Sequence, residues 1–281
     1  MDLKEVPDQL PAAYRRPGKV IASYMQKGGT GKTETTRGLI RALASYGVPV
    51  CAIDCDPHAA LTVGLGMEMV TARANMANLL TGRHKGPIRD LLVPRANFHV
   101  IPSSVDMPLL EQDLSSVRFR EERLRQAIEP LLDEYVVVLD CPNNPGLIND
   151  NALVAVAEEK EKAIEGQRRG GLLLVLQLEA TSTSSLELVL DQVDSVNEAT
   201  RYDVGFIGWF GTMVNSRALG VGRHRKIMSE LPIPYLGEMP IRQKIKDAWE
   251  FGKLLDEYDP RSDALARYRY LAWKTMEKIY A

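Results

Sequence analysis

The chain has 281 residues, 45% of them hydrophobic and 26% charged, with a formal net charge of −2. That length accommodates one large α/β domain or two small ones, and the near-neutral balance excludes a general polycation, so any nucleic-acid binding has to come from a local basic patch. No apolar run approaches the roughly 18 residues of a membrane span; the longest, Leu172 to Leu176, fits a buried strand. The opening Met1-Asp2-Leu3-Lys4-Glu5 is too polar for a secretory signal. Cys51, Cys55 and Cys141 lack disulfide or zinc spacing and the four histidines are scattered, which points to reduced thiols, a cytoplasmic location and no metal cluster.

Residues 1–18 carry Pro7, Pro11 and Pro17 and little periodicity. They are expected to form an arm or a short extra helix, too short for a helix-turn-helix domain, with residues 19–281 as a single domain. Lys19-Val20-Ile21-Ala22-Ser23-Tyr24 reads as a strand, Lys27-Gly28-Gly29-Thr30-Gly31-Lys32-Thr33 as a glycine loop, and Glu34 to Tyr46 as a helix. Such a loop turns its N–H groups toward phosphate oxygens, and the helix N-terminus adds partial positive charge. Lys32 is placed to reach the β- and γ-phosphates and the Thr33 hydroxyl to ligate Mg²⁺.

The usual G-x-x-x-x-G-K-[ST] pattern wants glycine at position 26, where Gln26 stands, and Lys27 opens the loop instead. K-G-G-x-G-K-T resembles the deviant phosphate loop of the ParA/MinD superfamily of dimeric ATPases. The resemblance implies a three-layer α/β/α P-loop fold: a mostly parallel twisted sheet with helices on both faces. It implies ATP and Mg²⁺ as ligands, an ATP-bound homodimer, and a Lys27 that crosses to the partner's nucleotide. Gly28, Gly29, Thr30, Gly31, Lys32, Thr33 and Thr35 become the expected nucleotide contacts.

Gly47-Val48-Pro49 turns the chain into a second strand, Val50 to Asp54, which runs into Asp54-Cys55-Asp56-Pro57-His58. Acids at a strand C-terminus sit where α/β sheets bind ligands. Asp54, Asp56, Pro57 and Thr62 fit the family's D-x-D-P-Q-x-x-x-T, whereas His58 replaces its glutamine. By resemblance Asp56 orients or deprotonates the attacking water and Asp54 supports Mg²⁺ through water. Residues 67–95 read as a helical excursion, Phe98 to Pro102 as a third strand, and Met107 to about Leu132 as one amphipathic helix with Leu110, Leu114, Leu124 and Ile128 inward.

Tyr135 to Asp140 is an apolar run closed by an acid, the Walker B pattern, with Asp140 on the Mg²⁺ side. Asn143-Asn144-Pro145-Gly146 departs from the family there. A helix is expected to begin at Asn151-Ala152-Leu153 and extend into the charged stretch 158–170, longer than the family's usual connection. Leu172 to Gln177 reads as a strand, Glu179 to Asn197 as a helix, and Val204 to Phe210 as a strand leading to Asn215 and Arg217. No N-K-x-D motif is present, which favours ATP over GTP, and by resemblance Asn215 and Pro240 flank the adenine.

The segment from Ile241 through Glu257-Tyr258-Asp259-Pro260 resembles the ParA C-terminal signature. Arg217, Arg223, Arg225, Lys226, Arg242, Lys244 and Lys246 form the expected DNA surface, contacting phosphates without sequence preference. The resemblance, which covers about residues 19–281, implies a plasmid or chromosome partition ATPase that is slow, partner-stimulated and nucleoid-associated, binding non-specific double-stranded DNA and a ParB-like centromere-binding protein. A MinD-like positioning ATPase, acting at a membrane or on a protein assembly, is the alternative, because Leu265, Tyr268, Ala272, Met276 and Ile279 stripe the last helix; core packing is the preferred reading of that stripe. A metabolic P-loop enzyme would need an acceptor-substrate pocket to which no residue points.

Overall fold

A computed structural model describes residues 1–162, 168–215, 218 and 220–280. In chain order its elements are β1 (Val20–Tyr24), α1 (Lys32–Ser45), β2 (Val50–Asp54), α2 (Ala60–Gly64), α3 (Met76–Leu80), β3 (Val93–Arg95), β4 (Phe98–Ile101), α4 (Leu110–Leu114), α5 (Arg123–Ile128), β5 (Val136–Asp140), α6 (Leu147–Val156) and β6 (Glu158–Glu159). They continue as β7 (Gly170–Gln177), α7 (Ala180–Ala199), β8 (Tyr202–Asp203), β9 (Phe206–Val214), α8 (Val221–Ser229), β10 (Tyr235–Pro240), α9 (Gln243–Glu250), α10 (Leu255–Tyr258) and α11 (Asp263–Tyr280).

Strands that are apolar on both faces, such as Val136-Val137-Val138-Leu139, can only be buried under helices on both sides, which is the habit of parallel sheets. Among the described residues one eight-stranded sheet runs β10-β9-β7-β1-β5-β2-β4-β3. Its neighbours are parallel except β3, which pairs antiparallel with β4. The chain fills β2, β4 and β3 on one side of β1, returns to insert β5 between β1 and β2, and then crosses to β7, β9 and β10 on the other side, so the strand ends around β1 are where such sheets open a crevice. The register sets Ser23 beside Asp140 and Asp140 beside Asp54, which gathers three strand ends at that crevice.

The period-2 alternation of the strands divides the core. Val20, Ala22, Val137, Leu139, Leu172 and Leu174 pack toward α5, α6 and α7, while Ile21, Val136, Val138, Leu173 and Val175 pack toward α1 and α11. The three-layer α/β/α architecture expected from the sequence is therefore the one observed. All three cysteines are free and buried. Among the described residues no helix is long and apolar enough to cross a membrane.

Several expectations are corrected. The single helix from Met107 to Leu132 is broken into short turns: Pro108 opens one, Phe119 adopts a left-handed φ of 52°, and Pro130 opens another. Its apolar positions Leu110, Leu114, Leu124 and Ile128 are nonetheless buried, so the burial pattern held while the continuous helix did not. The helical excursion 67–95 also contains β3, which covers the sheet edge. The helix expected from Asn151 starts four residues earlier, at Leu147, and stops at Val156; Glu158–Glu159 then pairs with Tyr202–Asp203 as a small ribbon. Residues 163–167 of the expected extension lie outside the described residues.

The arm is docked. Leu10 is buried in the α1/α11 core, Arg269 donates to the carbonyls of Pro7 and Asp8, and Tyr14 stacks on Tyr280. Tyr268, Ala272, Met276 and Ile279 of α11 are buried in the same cluster, as core packing requires.

Candidate active site

The crevice is built from the ends of β1, β2 and β5. After β1 the loop reverses through Gly29 and Gly31, with φ of 73° and 83°, and Gly31 is the left-handed residue that starts α1. A side chain there would be strained in that conformation and would meet the Met213 Cε at 3.3 Å. Among the described residues none accepts from the backbone N–H groups of Gly28, Gly29, Thr30 or Gly31, and the buried Thr30 hydroxyl has no partner. A bare nest of donors at a helix N-terminus is a cradle for an anion.

Lys32 turns back under this loop. Its Nζ donates to the Met25 carbonyl at 2.9 Å and to the side-chain oxygen of Asn143. Burial pulls its pKa below the usual lysine value, with the Asp140 charge opposing. Asn143, which departs from the family pattern, is thus the group that holds the loop lysine.

Asp140 is fully buried. Its Oδ1 accepts from the Thr36 hydroxyl at 2.8 Å, the Thr33 hydroxyl lies against it, and its Oδ2 has no partner. Burial, then the charge of Asp54, pushes its pKa well above the carboxylate range. Asp54 is raised as well, again mainly by burial. Its Oδ2 accepts from the Thr62 N–H (2.8 Å) and hydroxyl (2.7 Å), and its Oδ1 from the Asp56 N–H (3.1 Å), so Asp54 organises the 54–62 loop.

Among the described residues no three His, Cys, Asp or Glu side chains gather as a metal cage. One orphaned buried carboxylate oxygen beside a threonine hydroxyl fits Mg²⁺, which takes one or two protein carboxylates and completes its shell with phosphates and water. Thr33 and Asp140 would hold it, with Asp54 behind them.

Asp56 lines a cavity of about 730 Å³ together with Gly28, His58, Glu111 and Asn143, which brings the expected base to the mouth of the cradle. A second cavity, about 310 Å³, lies on the other side of α1's first turn. Gly31, Thr35, Met213, Pro240, Ile245 and Trp249 are among its lining residues, and its walls are mostly apolar, as suits a base. Asn215 follows directly on β9 and is not among the residues lining that cavity.

Lys27 points within its own chain. Its Nζ pairs with Glu179 and donates to the Thr181 hydroxyl at 2.6 Å, at the start of α7.

The basic group does not form one uniform patch. Arg225 pairs with Glu238 at 2.9 Å and Arg242 grips Asp263 through two nitrogens, at 2.8 and 2.6 Å, so both charges are engaged inside the fold. Lys246 borders the base-side cavity and Lys244 lies over the Tyr258 ring. Arg223 and Lys226 are exposed on α8; Arg217 lies outside the described residues. Sequence reasoning missed Thr36, Glu179 and Thr212, whose hydroxyl donates to the Thr30 carbonyl. Only the spacing of Thr36, one turn after Lys32, carried any signal.

Residues 18–205 match the family model AAA_31, an AAA domain. The chain belongs to this family, as a ParA-type P-loop ATPase. It is 29% identical to the sporulation initiation inhibitor protein Soj of Bacillus subtilis, over 91% of this chain and 97% of that one. It is 28% identical to the chromosome partitioning protein ParA of Myxococcus xanthus, over 93% of this chain and 89% of that one. The fold superposes on a plasmid partition protein from Borrelia burgdorferi, bound to AMPPNP, with a TM-score of 0.76 at 17% identity, covering 93% of this chain and 99% of that one.

Proposed function

We propose that this ParA-type ATPase, one domain with its arm docked, is a Mg²⁺-dependent ATP hydrolase that works as a dimerising partition switch. In its ATP-bound homodimer it binds non-specific double-stranded DNA, associates with the nucleoid in the cytoplasm, and cooperates with a ParB-like centromere-binding partner. The observation that carries this reading is the convergence, at the ends of β1, β2 and β5, of Lys32, Asp56 and the orphaned Asp140 Oδ2 around a cradle of free N–H donors. The relatives named as partition proteins support the cellular role.

The cradle of residues 28–33 binds the phosphates, and Lys32 leaves Asn143 to meet them. Mg²⁺, which Thr33 and Asp140 would hold, would supply charge neutralisation for the phosphates. Thr33 and Asp140 would keep the cation's place, Asp56 orients the attacking water, and Pro240 flanks the base. Lys27, exchanged from Glu179 to a partner's nucleotide, stabilises charge in the transition state and couples hydrolysis to association. Arg223, Lys226, Lys244 and Lys246, with Arg217, supply the DNA-facing charge. The MinD-like alternative would require α11 to leave the core, and its buried stripe argues against that.

The test is fluorescence anisotropy of a random-sequence duplex with ATP·Mg²⁺, with ADP, and with Lys27→Ala. Salt-sensitive binding that needs ATP and is lost in the variant is expected; equal failure to bind under every nucleotide would overturn the reading.

A further inference from the structure

His58 stands where the family pattern has glutamine, and the geometry around it is specific. The backbone of Asp56 is clamped on all sides. Its N–H donates to Asp54 Oδ1, and its carbonyl accepts from the Ser103 hydroxyl at 2.9 Å and from the Ala59 N–H at 2.9 Å. Ser103 is itself tied in, its N–H donating to the Thr62 hydroxyl that holds Asp54. Ala59 then takes a left-handed φ of 55°, closing the turn. With the main chain fixed, the remaining freedom at Asp56 is rotation of its own side chain.

Both hydrogen bonds that restrict this rotation come from His58. Its N–H and its ring Nδ1 each approach Asp56 Oδ1 at 2.9 Å. A carboxylate oxygen accepts, so Nδ1 is the donating ring nitrogen of this contact. Asp56 Oδ2 receives no hydrogen bond from a described residue. The His58 side chain is 81% exposed and lines the same cavity as Asp56, Gly28 and Asn143. Its ring has little packing to justify it.

We propose that His58 is a positioning residue for hydrolysis: it locks Asp56 Oδ1 so that Oδ2 faces the cavity as the proton acceptor. This rests on the reading of Asp56 as the base. In the step it serves, the water oxygen bonds to the γ-phosphorus as its proton passes to Asp56 Oδ2, and the bond from the γ-phosphorus to the bridging oxygen breaks with ADP as leaving group. A carboxylate held by the residue 58 N–H alone would present Oδ2 only part of the time, so the loss falls on turnover and leaves nucleotide binding untouched.

The experiment is steady-state ATP hydrolysis by the full chain carrying His58→Ala, His58→Phe, His58→Gln or Asp56→Ala, with affinity for a fluorescent ATP analogue measured in parallel. His58→Ala and His58→Phe are expected to lower kcat about tenfold with KM and analogue affinity unchanged. His58→Gln, whose amide can still donate to Asp56, is expected to recover most of the rate. Wild-type kcat in His58→Ala, or equal losses in kcat and analogue affinity, would overturn the proposal. Hydrolysis that survives Asp56→Ala would instead overturn the assignment of the base.

Discussion

Asp140 uses one oxygen on Thr36 and keeps the other bare, and that asymmetry gives the site its metal-seeking character. Removing the donor with Thr36→Val deletes a buried hydrogen bond to a carboxylate, a change of about 1.5–3 kcal/mol. A lower unfolding temperature and weaker Mg²⁺-dependent ATP binding are expected, read by calorimetry and by nucleotide titration. The two raised acids also set a pH dependence. A carboxyl whose pKa is higher folded than unfolded binds more protons in the folded state between the two values. Stability of the nucleotide-free protein is therefore expected to fall as pH rises from about 4 toward neutrality, and ATP with Mg²⁺ to flatten that slope by favouring ionised carboxylates. Thermal unfolding across that range, with and without ligand, checks it. Lys32, Asp56 and Asp140 were legible because motif spacing placed Lys32 at the start of α1, Asp56 just beyond β2 and Asp140 at the end of β5. The partners of Lys32 and Lys27, Asn143 and Glu179, were not, because both contacts join segments more than a hundred residues apart.

At the scale of elements, the helix that follows the loop is held by one close approach. A Cβ on Gly38 would sit 2.3 Å from the Tyr268 ring, so α1 and α11 meet at a distance that only glycine permits. Gly38→Ala gains helix propensity of under about 1 kcal/mol but forces a repacking that costs about 1–3 kcal/mol. Net destabilisation in denaturant titration is expected; a more stable variant would show that the two helices can slide apart. The strands were readable because each is a short apolar run bounded by turn residues. The interrupted segment 107–132 was not: its leucine spacing is helical, yet Pro108, the left-handed Phe119 and Pro130 each stop the ladder while leaving the same leucines facing the core. A sequence pattern reports which side chains are inside; it does not report whether the backbone between them is continuous.

For the whole molecule, the charge inventory divides by partner. Arg225 and Arg242 are committed to Glu238 and Asp263, so their loss is expected to loosen the fold around β10 and the start of α11. Lys226 and Lys244 have no carboxylate within ion-pair distance among the described residues and are free to meet phosphate. Lys226→Ala and Lys244→Ala are each expected to reduce the slope of log affinity against log salt for random duplex by about 1, while Arg225→Ala lowers the unfolding temperature; anisotropy and calorimetry separate the two. The ion pair between Lys27 and Glu179 bears on timing. In the proposed dimeric switch, that lysine would have to be released from an acid at the start of its own α7 before it could reach a partner's nucleotide. Exposed ion pairs weaken as ions are added, and the proposed contact with DNA phosphates would weaken as well. If the proposed switch operates, moderate salt would speed one half of its cycle and slow the other, and the expected turnover on DNA is fastest at an intermediate ionic strength.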